Sequence, residues 1–287
     1  MKIVLYTALA LLAFAGNSIL CRLALGENAI DAASFTAIRM LSGIVVLAII
    51  IQMVQPRSKV TSRGSWRASF MLFLYAVTFS YAYVSLETGV GALILFGSVQ
   101  ITMILTGLLS GNKLQLFEWV GIIVAFSGFV YLVMPGVTAP SLIGFILMSI
   151  AGIAWSCYTL AGKGSVNSLG DTYFNFLRTF PFVIILVLVT VQYSTISLEG
   201  ILLAVLSGGI ASGVGYTIWY SALRGLSTIQ AAVVQLLVPV FAAVGGIIFA
   251  GEVLSLRFVL SSVVILGGVS MVIIGKYLYE QNISRKT

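Results

Sequence analysis

The sequence contains no histidine and only two cysteines, and these absences limit the chemistry that it can perform. Without histidine, the chain has no imidazole proton relay and no histidine-ligated metal site. Cys21 and Cys157 each lie in an apolar run, where a free thiol packs as a small apolar side chain. Because no cysteine cluster takes the place of the histidines, we expect neither a metal nor another cofactor.

Charge is scarce as well. Only 8% of the 287 residues are charged and 60% are hydrophobic, whereas a soluble domain averages about 25% charged residues. So little polar surface cannot cover a water-soluble body, and we predict an all-α membrane protein with many spans. The net charge of +7 does not indicate a nucleic-acid partner, because in a membrane protein the distribution of charge matters more than its sum.

Acidic residues are absent from the middle of every apolar run. All eight aspartates and glutamates lie at the ends of these runs, between them or in the tails; we interpret Glu252 as a cap at the start of the last helix. A carrier of cationic drugs needs a buried carboxylate, so the sequence argues against that activity. It also lacks a nucleophile with a base, a pair of membrane-embedded acids and a G-x-S-x-G motif, so we do not predict an enzyme.

Ten apolar runs have the roughly 20 residues that a helix needs to cross a bilayer. They cover residues 3–25, 32–54, 66–86, 90–109, 115–134, 141–162, 171–192, 199–223, 228–250 and 254–278. If the N-terminus is cytoplasmic, eleven of the fifteen basic residues fall in cytoplasmic loops or tails. The positive-inside rule therefore predicts that both termini are cytoplasmic.

The second half of the chain repeats the first. Residues 222–272 follow the pattern of residues 85–132, and the matched Gly111 and Gly251 are 140 positions apart. We therefore predict two repeats, 1–139 and 140–287, with five helices each. Because five is an odd number, the second repeat enters the membrane in the opposite sense, as in many carriers that bind their substrate near the midplane.

Several motifs carry a resemblance to a known family. An aromatic-Ala-Gly-Asn string ending at Asn17 lies in helix 1, Arg39 lies early in helix 2, and the second repeat carries Pro-Val at 239–240 and Gly-Glu at 251–252. In these features the chain resembles the drug/metabolite transporter superfamily, specifically its EamA-type carriers with ten helices. The resemblance implies export of small metabolites, often amino acids, across a plasma membrane or a bacterial inner membrane.

The first repeat departs from this family pattern. Gln100 stands where proline is usual, and Asn112 stands where the Gly-Glu pair has its glutamate. Pro239 can kink helix 9, so we predict that helix 4 is straighter than helix 9 and that the second half bends more. Gly208 and Gly213 loosen helix 8 and are further candidate hinges, although close packing explains glycines there equally well.

Two arginines are the sharpest candidates for substrate binding. Arg39 and Arg178 each lie several residues inside a predicted helix, at matched positions of the two repeats. An arginine at the bilayer centre costs roughly 2.5–3.5 kcal/mol, so each must be paired or shielded. They could bind a substrate carboxylate or form a gate. Alternatively, each reaches the membrane surface or binds carbonyl groups at the end of a neighbouring helix.

Other polar and aromatic residues inside the predicted helices complete the candidate substrate site. They are Asn17, Tyr75, Phe79, Tyr83, Gln100, Trp155, Tyr158, Trp219, Tyr220 and Gln235. Amides either hydrogen-bond to a zwitterion or join helices, and aromatic rings either line a cavity or face lipid. The discriminating feature would be a hydrated cavity between the repeats. We expect such a cavity to be lined by Asn17, Tyr83, Tyr158 and Gln235.

Together these features predict a secondary transporter that works by alternating access and exports small neutral or zwitterionic metabolites. Amino acids are the substrate class that we expect. The alternatives are export of other metabolites or drug-like solutes, and a membrane subunit that does not transport. The expected partners are a small-molecule substrate and the lipid bilayer. We expect no nucleic acid, and a monomer or a homodimer.

Overall fold

The computed structural model describes residues 2–54, 63–109, 116–134, 139–162, 165–226, 231 and 234–284. Throughout these residues the backbone is almost wholly helical, which confirms the predicted all-α class. The helices are α1 (Lys2–Gly26), α2 (Ala32–Val54), α3 (Trp66–Tyr83), α4 (Thr88–Leu109), α5 (Leu116–Val133), α6 (Leu142–Gly162), α7 (Ser168–Thr190), α8 (Leu198–Leu223), α9 (Val238–Ala250) and α10 (Leu256–Ser284). Within the described segments, β-pairing is limited to one antiparallel bridge between Ile30 and Ile196.

Most of these helices can cross a bilayer. Eight of the described helices are long and apolar enough to do so, while α9 is apolar but has only 13 residues. The remaining helix, α3, carries many serine, threonine and tyrosine side chains among its apolar residues. The chain is therefore a multi-pass membrane protein.

Two aspartates at matched positions, 140 residues apart, join the first half of the chain to the second. Asp31 caps the start of α2, and its other carboxylate oxygen accepts a hydrogen bond of 2.9 Å from the backbone N–H of Thr195, in the loop before α8. Asp171, in the first turn of α7, accepts one of 2.8 Å from the N–H of Gly64, in the loop before α3. These two contacts lie at opposite ends of α2, because one precedes the helix and the other follows it.

Helix 5 packs closely against helix 10. Gly121 and Gly128 are seven residues apart, and this spacing predicts that both lie on one tightly packed helix face. The structure confirms the seam. A Cβ atom added to Gly268 would lie 2.6 Å from the carbonyl oxygen of Gly121 and 2.5 Å from the backbone nitrogen of Ala125. The seam thus joins the last helix of each half.

The predicted helix 9 is interrupted beside Pro239, and the role of this proline as a hinge stays a prediction. Pro239 lies in the first turn of α9, where its missing N–H has no helical partner to lose. Gln235 is helical, and a turn at residues 236–237 separates it from α9. The proline therefore begins a new helix after a break instead of bending a continuous one. Asn112 and residues 227–230 lie outside the described part of the chain.

Helix 8 changes its geometry in the middle. Its residues Leu206–Val214 form a π-helix between two α-helical segments. Gly208 lies in this segment, against α2, and a Cβ atom there would overlap the carbonyl oxygen of Arg39. Close packing therefore accounts for Gly208. Gly213 lies in the same segment, and the hinge role of both glycines stays a prediction.

Adding a methyl group to the seam between α5 and α10 should destabilise the protein. In Gly268→Ala the new Cβ atom would meet backbone atoms, which cannot rotate away. Overpacking of this kind costs about 1–3 kcal/mol, and each kcal/mol lowers the melting temperature by about 2–4 °C in a protein of this size. Thermal unfolding in detergent measures the change.

The matched control for this prediction is Gly267→Ala. A Cβ atom at Gly267 meets nothing within 4 Å, so this neighbouring substitution should leave the melting temperature unchanged or raise it. Equal melting temperatures for the two variants would contradict the seam.

Candidate functional site

An aromatic cluster fills the space where α1, α3, α6 and α8 meet. Its rings belong to Phe14, Tyr75, Phe79, Trp155, Tyr158, Tyr216, Trp219 and Tyr220, all of them buried. The centroid of the Trp155 ring lies 4.7 Å from that of Tyr216 and 5.0 Å from that of Tyr75. Phe14 contacts both tryptophans at 5.5 Å. Aromatic residues predicted from three separate helices thus pack into one cluster, and Phe14 of α1 and Tyr216 of α8 are additional members.

The guanidinium group of Arg39 lies against this cluster and is completely buried. Its Nε donates a hydrogen bond of 3.1 Å to Ser212 Oγ, and one Nη donates to the hydroxyl groups of Tyr216 and Tyr75, at 2.9 and 3.4 Å. The guanidinium carbon also lies over the rings of Tyr75 and Phe79, 5.3 and 5.1 Å from their centroids. Neutral hydroxyl groups and ring faces therefore surround the charge.

No carboxylate neutralises Arg39 within the described residues. The one ion pair among those residues joins Arg22 to Glu252. The second Nη of Arg39 has no hydrogen-bond partner there either. Buried charges are normally paired, because transfer of a charge out of water is costly. The site therefore holds a positive charge that the described part of the protein leaves uncompensated.

Asn17 extends this network from α1 to α3 and α8. Its side-chain nitrogen donates to the hydroxyl group of Tyr75 at 3.3 Å, and its oxygen accepts a hydrogen bond of 2.7 Å from Ser207 Oγ. Ser207 and Ser212 both lie in the π-helical segment of α8. Residues five apart diverge by about 140° around an α-helix but come to nearly the same face of a π-helix, which bonds residue i to i+5. The π-helix thus presents both hydroxyl groups to the network.

A cavity of about 500 Å³ opens beside the aromatic cluster, at the ends of α6 and α8. It is lined by Met103, Thr159, Leu160, Gly162, Ser165, Tyr220, Leu223, Arg224, Leu226, Ala231 and Gln235. The side-chain oxygens of Thr159 and Gln235 are buried and have no partner among the described residues. This end of the molecule is the one that the distribution of basic residues predicts to be cytoplasmic.

The cavity differs from the one that the sequence predicted. Of the four residues expected to line it, Gln235 does so, whereas Asn17 and Tyr158 lie inside the packed cluster and Tyr83 is buried at the end of α3. Tyr220 forms the boundary, because it lines the cavity and also stacks on Tyr158 with ring centroids 5.5 Å apart. In this conformation two tyrosine rings therefore separate the cavity from the Arg39 network.

The two arginines that the sequence paired lie in different surroundings. Arg178 is partly exposed, donates to the backbone carbonyl of Arg63, and lies near the rings of Trp66 and Phe174. This arrangement corresponds to the carbonyl-binding alternative. The structure does not bring Arg178 to the Arg39 network. Gln100 is buried within α4 and does not line the cavity described above.

Glu252 does not cap the start of the last helix, so the sequence-based interpretation is wrong. Ser255 caps α10 by accepting from the N–H of Phe258 at 3.1 Å. Glu252 instead accepts a hydrogen bond of 2.8 Å from the N–H of Thr88, the first residue of α4, and pairs with Arg22 at 3.3 Å. The sequence signal for this contact was the difference between the repeats, because position 252 is a glutamate and the matched position 112 is an asparagine.

The same contact affects the carboxyl group of Glu87, which immediately precedes α4. Partial burial raises the pKa of Glu87, and the nearby Glu252 carboxylate adds to the rise while Arg22 opposes it. Two carboxylates and one guanidinium group are therefore close enough to influence one another at this end of the molecule.

Comparison with known proteins agrees with this architecture. The profile of the EamA-like transporter family matches residues 1–134 and again residues 142–274. An uncharacterized protein of Pseudomonas aeruginosa is 46% identical over 272 residues, covering 95% of this chain and 94% of that protein. An uncharacterized transporter of Clostridium kluyveri is 30% identical over 168 residues, which is 55% of this chain and 54% of that protein.

A solved crystal structure has the same fold. It superposes with a TM-score of 0.60 at 17% identity and covers 92% of this chain and 97% of the other. The family match spans nearly the whole chain in two consecutive parts, and the structure supplies the expected bundle of apolar helices. The chain therefore belongs to the EamA-like transporter family and is a membrane transporter of small solutes.

Proposed function

We propose that the protein exports small zwitterionic metabolites, with amino acids as the first class to be tested, by alternating access between its two halves. The observation that carries this proposal is the uncompensated guanidinium group of Arg39. A substrate that brings its own carboxylate would place a counter-ion beside this guanidinium group on binding. A cationic substrate would instead add a second positive charge to a site without a described acid.

The unsatisfied polar atoms of the aromatic cluster support a carboxylate ligand. One Nη of Arg39 and the indole nitrogens of Trp155 and Trp219 are buried donors without a partner among the described residues. A carboxylate accepts about four hydrogen bonds and can bind arginine through both of its oxygens. A surplus of donors therefore favours an anionic group over a second donor such as an ammonium group.

The remaining parts of a zwitterion also find suitable surroundings. An ammonium group is attracted to the faces of aromatic rings, and it could donate a hydrogen bond to the side-chain oxygen of Gln235, which has no partner among the described residues at the wall of the cavity. The aromatic rings offer an apolar contact surface for a substrate side chain. The net charge of the occupied site would then remain +1, because a zwitterion adds none.

Access to Arg39 requires a conformational change. Tyr158 and Tyr220 stand between the cavity and the network, so a substrate entering the cavity must displace them or move with them. With both termini cytoplasmic, as predicted, the cavity opens toward the cytoplasm, from which an exporter loads its substrate. The two consecutive family matches support a two-half design of the kind in which one half moves against the other.

Replacing Arg39 should slow transport strongly without unfolding the protein. A hydrogen bond to a charged group contributes about 1.5–3 kcal/mol, so Arg39→Gln should lower the rate at subsaturating substrate by roughly ten- to a hundredfold. Uptake into proteoliposomes, measured across a panel of single radiolabelled amino acids, tests this expectation. Arg257→Gln removes a charge from a partly exposed site on α10, where the arginine binds the carbonyl of Met134, and serves as the control that retains activity. Equal rates for both variants would contradict a role for Arg39.

The proposal also predicts which part of the substrate is essential. The amide of a transported amino acid keeps the ammonium group and the side chain but loses the negative charge. It should compete for transport at least about tenfold more weakly than the parent amino acid, since the contact with Arg39 is lost. Competition assays on the wild-type protein measure the ratio. An amide that competes as well as the acid would exclude carboxylate recognition by Arg39.

A further inference from the structure

We propose that Arg22, Thr88 and Glu252 form an outer latch that holds the protein closed at the end away from the cavity, and that this latch sets its resting conformation. The inference rests on the proposed alternating access. It assigns transport-controlling roles to three residues that lie outside the substrate network.

The carboxylate of Glu252 is the centre of the outer latch. The backbone N–H of Thr88 donates to both of its oxygens, at 2.8 and 2.9 Å, and the hydroxyl group of Thr88 donates to one of them at 2.9 Å. Arg22 Nε lies 3.3 Å from the same oxygen, and its Nη1 donates to the carbonyl of Tyr83 at 3.3 Å. The latch therefore ties α1, the α3–α4 turn and the α9–α10 connection together.

The backbone is shaped to deliver this carboxylate. Gly251 has a φ of +63° and ends α9, and the N–H of Glu252 then donates to the carbonyl of Gly246. Glycine adopts such a conformation at the least steric cost. A Cβ atom at Gly246 would overlap a carboxylate oxygen of Glu252, so the absence of a side chain there leaves room for the latch. A negative charge at the first residue of α4 is also favourable to the helix dipole.

The outer latch and the cavity lie at opposite ends of the molecule. Thr88 is the first residue of α4, whereas Met103, which lines the cavity, follows 15 residues later. At 1.5 Å per residue, this separation is about 22 Å along the helix. The outer latch thus ties α1, α4 and the α9–α10 connection together at the end opposite the cavity that Met103 lines.

The sequence gives the latch no carboxylate counterpart in the first repeat. Glu252 is matched 140 positions earlier by Asn112, and Arg22 is matched 141 positions later by Lys163. Both counterparts lie outside the described residues, but Asn112 carries no charge whatever its position. The carboxylate of Glu252 therefore has no counterpart at the matched position of the first repeat.

Accessibility of a reporter cysteine tests the outer latch without any substrate. Ser18 is buried in α1, one turn before Arg22, so Ser18→Cys in a chain whose two native cysteines are alanines reports opening beneath the latch. A charged, membrane-impermeant maleimide is added to proteoliposomes from the side that carries Glu199. We expect slow labelling with the latch intact. Labelling should be roughly tenfold faster in Glu252→Gln, because a minor open state becomes a main population.

The matched control is Glu199→Gln, which removes the same charge from an exposed position at the start of α8 and should not change the labelling rate. If Glu252→Gln does not accumulate as folded protein, Arg22→Gln takes its place, since it leaves the contact with the Thr88 backbone intact. The proposal would be overturned if the latch variant is labelled no faster than Glu199→Gln. A latch variant with a lower melting temperature but an unchanged labelling rate would overturn it too, because the latch would then contribute only to stability.

The outcomes for the outer latch and for the proposed function are distinguishable. Faster labelling in Glu252→Gln, with no amino acid moved by the wild-type protein, would support the latch and reject amino-acid export. Transport by the wild-type protein with unchanged labelling in both latch variants would reject the latch alone.

Discussion

A guanidinium group that water cannot reach must find its partners inside the protein, and the centre of this molecule is organised around that requirement. Arg39 meets it with hydroxyl groups from α3 and α8 and with two ring faces, not with a carboxylate. Hydroxyl groups and rings stabilise a cation only partly. The positive charge of such a site is compensated incompletely, so the site can still bind an anion. The proposed carrier of carboxylate-bearing solutes requires this property.

The network depends on helices that approach one another more closely than ordinary side chains permit. Gly208 lets the π-helical part of α8 rest on the backbone of α2 at Arg39, and the wider turn of that segment brings Ser207 and Ser212 to one face. An uninterrupted α-helix would turn one of these hydroxyl groups away. The glycines of α8 therefore matter for where they place hydroxyl groups, in addition to any motion that they permit.

The two ends of the molecule are held by different chemistry. Each end has an aspartate that binds a backbone N–H of the other half, at Asp31 and at Asp171. Among the described residues, only the end with Glu252 adds an ion pair. Hydrogen bonds of an aspartate to a loop can persist while helices tilt, whereas the carboxylate of Glu252 is bound by one helix start and one arginine together.

Class, helix number and the repeat follow from the sequence alone, because hydropathy, chain length and spacing are local properties that need no knowledge of neighbours in space. The absence of acids from the middle of the apolar runs is equally local, and it already argued against a carrier of cationic drugs. The tertiary structure decided which matched arginine is enclosed, that Ser207 and Ser212 share a face, and that Glu252 binds the start of α4 and does not cap α10. These outcomes depend on contacts between residues far apart in the chain, such as Glu252 and Thr88, separated by 164 positions. Helix packing sets such distances, and no local pattern encodes them.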